Sequence, residues 1–290
     1  MSNKTIKLQF NDAQTHMVGD GFRVANYIPG PKNFSQETSP FFLLDYNAPH
    51  NFPPTKHRKG VGEHPHRGFE TVTVVFDGHL EHRDSSGGGG TIGAGDVQWM
   101  TAASGVIHDE FQTQEFSETG GMQHMMQIWV NLPAKYKMST PKYQSITDAQ
   151  IAHHNIDDKG SFVRVIAGDF KGTKGAASTF TPVDMYDIRL VKDGEVSFDL
   201  PAGHNTMLLV TKGNVVVNGT SKATFKDFIL FKNDGETITV KADEDSSVFI
   251  MSGEPLNEPI AAYGPFVMNT KEEIMQAIDD FNSGKFGSIK

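Results

Sequence analysis

Phe69-Glu-Thr-Val-Thr-Val-Val-Phe76, followed by Asp77-Gly78, reads as a β-strand closed by a turn. Val and Thr suit a pleated, half-buried surface, and Asp-Gly is a strong hairpin signal. Leu80–Asp84 is the expected hairpin partner, with Ser85–Gly90 a glycine-rich turn after it. Upstream, Phe41-Phe-Leu-Leu-Asp45 reads as a short buried strand between Pro40 and a Pro/Asn/His-rich loop over 47–55. Downstream, strands are expected over 96–100, 106–108 and 122–132, with a tight connection at Ala102–Gly105. Leu132–Pro141 holds two prolines and two lysines without periodicity, and reads as a crossover. The strand-turn rhythm resumes from Phe162 and runs to Met251, with Asn218-Gly219 another hairpin signal. Short strands at regular spacing in two successive blocks predict an all-β sandwich or barrel in each half. The expected division is 1–135 and 136–290.

The tail breaks the rhythm. Ile274, Ala277, Ile278 and Phe281 recur at helical spacing. Thr270 stands at the expected N-cap, with Glu273 in the capping-box position. One short C-terminal helix packed on a barrel is expected.

Length and composition agree with this reading. A chain of 290 residues suits two domains, each large enough for its own core. Glycine is frequent, at 29 residues, and clusters at the turns. The net charge of −9 and the lack of a basic block argue against direct nucleic-acid binding. With no cysteine, any metal must take His, carboxylate or carbonyl ligands. No apolar run approaches the ~20 residues needed to span a bilayer. Met1-Ser-Asn-Lys-Thr-Ile has no apolar core after its lysine, so cytoplasm is the expected location.

Eight of the 12 histidines lie between His50 and His124. Two pairs stand out: His64-Pro-His66, and His108-Asp-Glu110, whose histidine comes 42 residues after His66. On a strand, residues two apart share a face, so each pair presents two donor atoms on one side. If the two strands adjoin, four ligands converge. Three imidazoles and a carboxylate suit iron, and also manganese, cobalt, nickel, copper or zinc. Glu70, four residues after His66, is a rival carboxylate that spacing alone does not separate from Glu110. His79 and His82 read as surface residues beside a turn, His124 as a core histidine, and His50 and His57 as loop residues without a role.

These residues resemble the pirin family. The resemblance rests on His64-Pro-His-Arg-Gly-Phe-Glu-Thr71, Glu81-His-Arg-Asp84, Gly95-Asp-Val-Gln-Trp-Met-Thr101 and Ala103-Ser-Gly-Val-Ile-His108. Gly19–Arg23, Pro40–Asp45, Ala262–Thr270 and Gly284–Gly287 extend it over nearly the whole chain. It implies a bicupin, two jelly-roll cupin barrels, with a metal, most often iron, in the N-terminal one. It implies His64, His66, His108 and Glu110 as the metal ligands, favouring Glu110 over Glu70. The second half has no matching pattern, and its barrel is expected to be metal-free. The resemblance further implies a quercetin 2,3-dioxygenase-like enzyme, with a flavonol and molecular oxygen as substrates and Glu110 also accepting a proton. Other pirins act as metal-dependent regulators that bind a transcription factor or a metabolic enzyme, so a protein partner is the second expectation. A monomer is expected.

Overall fold

The structure, a computed structural model, describes residues 2–30 and 36–289. Among these, the chain is almost entirely β-strand and divides into two compact units. One unit holds residues 14–30, 41–148 and 256–289. The other holds residues 2–13, 36–40 and 149–255. The units depart from a single cut after residue 135, because each end of the chain joins the unit farther from it in sequence. Ile6–Phe10 pairs antiparallel with Phe228–Phe231 as the edge of the C-terminal sheet. The terminal helix, Lys271–Asn282, packs Ile274 and Ala277 with Phe266, Met268 and Phe286 beside Ile107 of the N-terminal unit.

Each unit is built from a seven-stranded and a four-stranded antiparallel sheet. In the N-terminal unit the larger sheet runs Lys142–Ile146, Val97–Thr101, Phe69–Asp77, Gly121–Asn131, Phe41–Phe52, Phe22–Ile28, Thr15–Val18. Its smaller sheet runs Gly60–His66, Val106–Gln112, Leu80–Asp84, Gly89–Ile92. The C-terminal unit repeats this order with Ile6–Phe10 at the place of Lys142–Ile146. The duplication is therefore one of topology.

The C-terminal barrel is filled with apolar side chains. Its strand Glu195–Asp199 pairs Val196 with Val240 and Phe198 with Ile238, all buried. The equivalent pair of strands in the N-terminal barrel sets His64 opposite His108.

Two local expectations change. Phe69–Asp77 and Leu80–Asp84 are not a hairpin: the first lies between Val97–Thr101 and Gly121–Asn131, so both its edges are taken. The turn at Gly78 instead carries the chain into the smaller sheet, where Leu80–Asp84 pairs with Val106–Gln112 and Gly89–Ile92. The strand from Phe41 runs on to Phe52, taking in His50 and most of the expected loop, because Gly121–Asn131 offers it a ladder along that length. The hairpin at Asn218-Gly219 forms as expected. So does the helix, capped by Thr270 and Glu273 in a reciprocal box. No helix among the described residues is long and apolar enough to cross a membrane.

Candidate metal centre

The strand Gly60–His66 carries His64 and His66, and the strand Val106–Gln112 carries His108 and Glu110. The two strands adjoin antiparallel, with His64 opposite His108. A bulge follows, so that Glu110 lies opposite Val61. Such an extra residue re-aims side chains locally. Gly60 permits the close approach of the strands there: a Cβ on it would stand 2.2 Å from the Glu110 carbonyl oxygen. Asp109, on the other face, pairs with Arg83.

One nitrogen from each of His64, His66 and His108 lies within 4.8 Å of the other two. Hydrogen bonds at the opposite ring nitrogens set the tautomers. His64 Nδ1 faces the Gly62 carbonyl at 2.8 Å, and His66 Nδ1 faces the Pro265 carbonyl at 3.4 Å. A carbonyl only accepts, so each Nδ1 carries the proton and each Nε2 is left with its lone pair. His108 Nδ1 lies 3.2 Å from His82 Nδ1. His82 Nε2 donates to Asp84 Oδ2 at 3.1 Å, so its Nδ1 is the accepting nitrogen, shared between His108 and Gln98 Nε2 at 3.1 Å. The Nε2 of His108 is buried with no hydrogen-bond partner. A buried polar atom without a partner needs an explanation, and a metal ion supplies one here. Burial, and then the neighbouring imidazoles, push His66 and His108 well below the ordinary histidine value. Neutral imidazoles oriented through Nδ1 are what a divalent metal requires. The donor set therefore fits a metal.

Glu110 groups with His108 and His82 in the same distance sense, so the four expected ligands do not form one such group. Its carboxylate is held at both ends. Gln98 Nε2 donates to Oε1 at 3.1 Å, and Gln127 Nε2 to Oε2 at 2.9 Å. Glu70 is elsewhere. It shares its strand with Thr73 and Phe69, which lie against Gln127 and His66. Alternation turns Glu70 to the opposite face, where it accepts from the Thr101 hydroxyl at 2.7 Å. His124 is buried and hydrogen-bonded to the Tyr46 hydroxyl, as expected of a core histidine.

His82 corrects the sequence reading. It is 1% exposed and stands behind His108, in a network with Asp84, Gln98 and Tyr143. The signal was parity in Leu80-Glu-His-Arg-Asp84: His82 and Asp84 share the face of apolar Leu80. Gln127 and Trp129 were missed for a similar reason. They alternate with Ile128 along one strand and face the site. Trp129 stacks on Phe69 at 4.3 Å and packs edge-on against His66 at 5.1 Å.

A cavity of about 350 Å³ opens onto His64, His66 and Glu110. Its remaining walls are largely apolar, among them Val18, Phe22, Val24, Val61, Met125 and Trp129. That size is at the lower end for a small-molecule site.

Residues 21–130 match the pirin family model, and residues 185–287 match that of the pirin C-terminal cupin domain. A Pseudomonas aeruginosa protein named "putative quercetin 2,3-dioxygenase" is 46% identical over 96% of each chain. The chain belongs to the pirin family. Its two barrels are thus the two cupin domains of a pirin. A pirin-like protein of Caulobacter vibrioides is 38% identical, covering 92% of this chain and 94% of its own. The crystal structure of a quercetin 2,3-dioxygenase from Acinetobacter baumannii superposes with a TM-score of 0.94 at 50% identity, over the full length of both chains. A bacterial pirin of Escherichia coli in complex with nickel(II) shares the fold at 23% identity, with a TM-score of 0.66 over 86% of this chain and 100% of its own.

Proposed function

We propose that this pirin is a metal-dependent dioxygenase that cleaves quercetin or a related flavonol with molecular oxygen. The observation that carries the proposal is the convergence of one ring nitrogen from each of His64, His66 and His108, beside a largely apolar cavity that His64, His66 and Glu110 line. The names of the relatives from Pseudomonas and Acinetobacter support the same reading. His64, His66, His108 and Glu110 are the proposed ligands, and Fe(II) the proposed metal. Manganese, cobalt, nickel, copper and zinc suit the same donors.

A bound metal supplies Lewis acidity, which favours the anion of the flavonol's 3-hydroxyl. The chain's own residues do the rest. Glu110 lines the cavity and accepts the proton of that hydroxyl. Gln98 and Gln127 hold its two oxygens in place. Trp129 and Phe69 fix the His66 ring, and the valines and Phe22 receive the flat apolar substrate and exclude water. In the net reaction one O2 is consumed, the oxygen-bearing ring opens to an ester, and one carbon monoxide is released. A regulator whose metal is a structural or redox element is favoured instead by an exposed aromatic or basic patch beside the site. The largely apolar cavity beside the histidines favours the enzyme.

Oxygen uptake by the iron-loaded protein with quercetin, with carbon monoxide as second readout, is the test. The choice of carboxylate has its own test. Burial pushes the Glu70 carboxyl from 4.5 up to about 7, against the opposing Thr101 hydroxyl. The folded chain holds a proton there that the unfolded chain releases between these values, so this group's contribution to stability falls as pH rises through that window. Glu70→Gln is expected to keep stoichiometric metal and to flatten that fall, which is on the order of 3 kcal/mol. Metal analysis and urea unfolding at pH 4.5 and 8 check both. Loss of metal from this variant would return Glu70 to the ligand set.

A further inference from the structure

Asp45 is, with Glu110, one of two carboxylates lining the cavity. It lies directly opposite Gln127 in the strand ladder, and Gln127 reaches on to Glu110. Adjacent strands stand about 4.8 Å apart, so Asp45 is set beyond Gln127 from the metal ligands. A flat molecule anchored at the histidines and lying along this wall passes Gln127 and arrives at Asp45.

The carboxylate is built into its position. Its Oδ1 accepts from Asn26 Nδ2 at 2.7 Å. Asn26 is itself fixed: Nδ2 also donates to the Ile28 carbonyl at 2.9 Å, and its side-chain oxygen accepts from Gly30 N at 3.1 Å. Among the described residues, Asp45 Oδ2 has no hydrogen-bond donor. Burial pushes the Asp45 carboxyl up, against Asn26 and the charge of exposed His16. A partly desolvated oxygen without a donor is costly, and a ligand O–H placed against it relieves that cost. Gln127, opposite it in the ladder, already directs its Nε2 to Glu110 and Thr73.

We propose that Asp45 accepts a hydrogen bond from a phenolic hydroxyl on the pendant ring of a flavonol whose 3-hydroxyl lies at the metal end, and so selects polyhydroxylated substrates over unsubstituted ones. This rests on the flavonol reading above. Asp45 is here a specificity residue, remote from the bonds that change.

The test is binding without turnover. Quenching of tryptophan fluorescence reports the ligand, since Trp129 lines the cavity. Iron-loaded protein is titrated under argon with quercetin, which carries two pendant-ring hydroxyls, and with galangin, which carries none. Wild type is expected to bind quercetin about tenfold more tightly, the effect of one hydrogen bond to a charged group. In Asp45→Asn and Asp45→Ala, the quercetin-to-galangin affinity ratio is expected to fall about tenfold, towards one. Under air, the loss is expected in KM for quercetin rather than in kcat. Equal affinities in wild type, or a ratio that both variants leave unchanged, would overturn the role of Asp45 while leaving the flavonol reading intact. Absence of quenching by either flavonol in wild type would overturn the flavonol reading and this role with it. The wild-type comparison stands even if neither variant folds.

Discussion

Replacing His66 by alanine is expected to strip the protein of stoichiometric metal and to abolish turnover. His66 is 3% exposed, and its ring touches both His64 and His108, with centroids 4.8 Å away in each case. Loss of a partner behind a ligand costs 10- to 100-fold in metal affinity, so loss of the ligand itself is expected to cost more than ~100-fold. Glu110→Ala is expected to behave alike, removing the carboxylate to which Gln98 and Gln127 both donate. Metal analysis after dialysis reads the effect directly. Stoichiometric iron retained in both variants would break the ligand assignment.

The second large effect is expected at the far end of the chain. Arg67 follows His66 and is 4% exposed. Its Nε donates to the Ser104 carbonyl at 2.7 Å, it lies over the Phe286 ring at 4.6 Å, and its charge is met by Asp280 at 2.9 Å. Asp280 belongs to the terminal helix and is almost buried. Asp280→Ala leaves a buried guanidinium without its carboxylate, which is expected to cost about 3 kcal/mol. Lys285, then Arg67, hold the Asp280 carboxyl well below the usual range. A depressed carboxyl stabilises above its unfolded value and loses that contribution as pH falls, so the deficit of the variant is expected to shrink in acid. The same segment supplies the Pro265 carbonyl to His66, and a fall in metal affinity of about tenfold is expected alongside. Urea unfolding and a metal titration measure the two. An unchanged midpoint at pH 7 would contradict this account of the helix.

Why a helix at residue 280 serves a ligand at residue 66 was not legible in the sequence. The helix itself was, because its cap and apolar stripe are local: Thr270, Glu273, Ile274 and Ala277 carry the signal within eight residues. Its partner was not, because docking depends on the surface offered by distant Arg67 and Ile107. The strand at 69–77 shows the same limit. Val, Thr and Asp-Gly declare a strand and a reversal, but the choice of sheet is made by the flanking strands at 97–101 and 121–131. The pairs His64/His66 and His108/Glu110 were legible from parity and from the family pattern. His82 and Gln127 were hidden, because a polar residue on the inward face of a short strand looks like a surface residue until its neighbours are known. Spacing alone did not part Glu70 from Glu110; the family resemblance favoured Glu110, and in the fold Glu70 turns away to accept from Thr101.

Oxygen uptake by the iron-loaded protein supplied with quercetin, with His66→Ala as control, is the decisive measurement. Wild type is expected to consume one oxygen for each carbon monoxide released, and the variant to do neither. Bound iron in wild type without oxygen uptake, or uptake equal in His66→Ala, would contradict it.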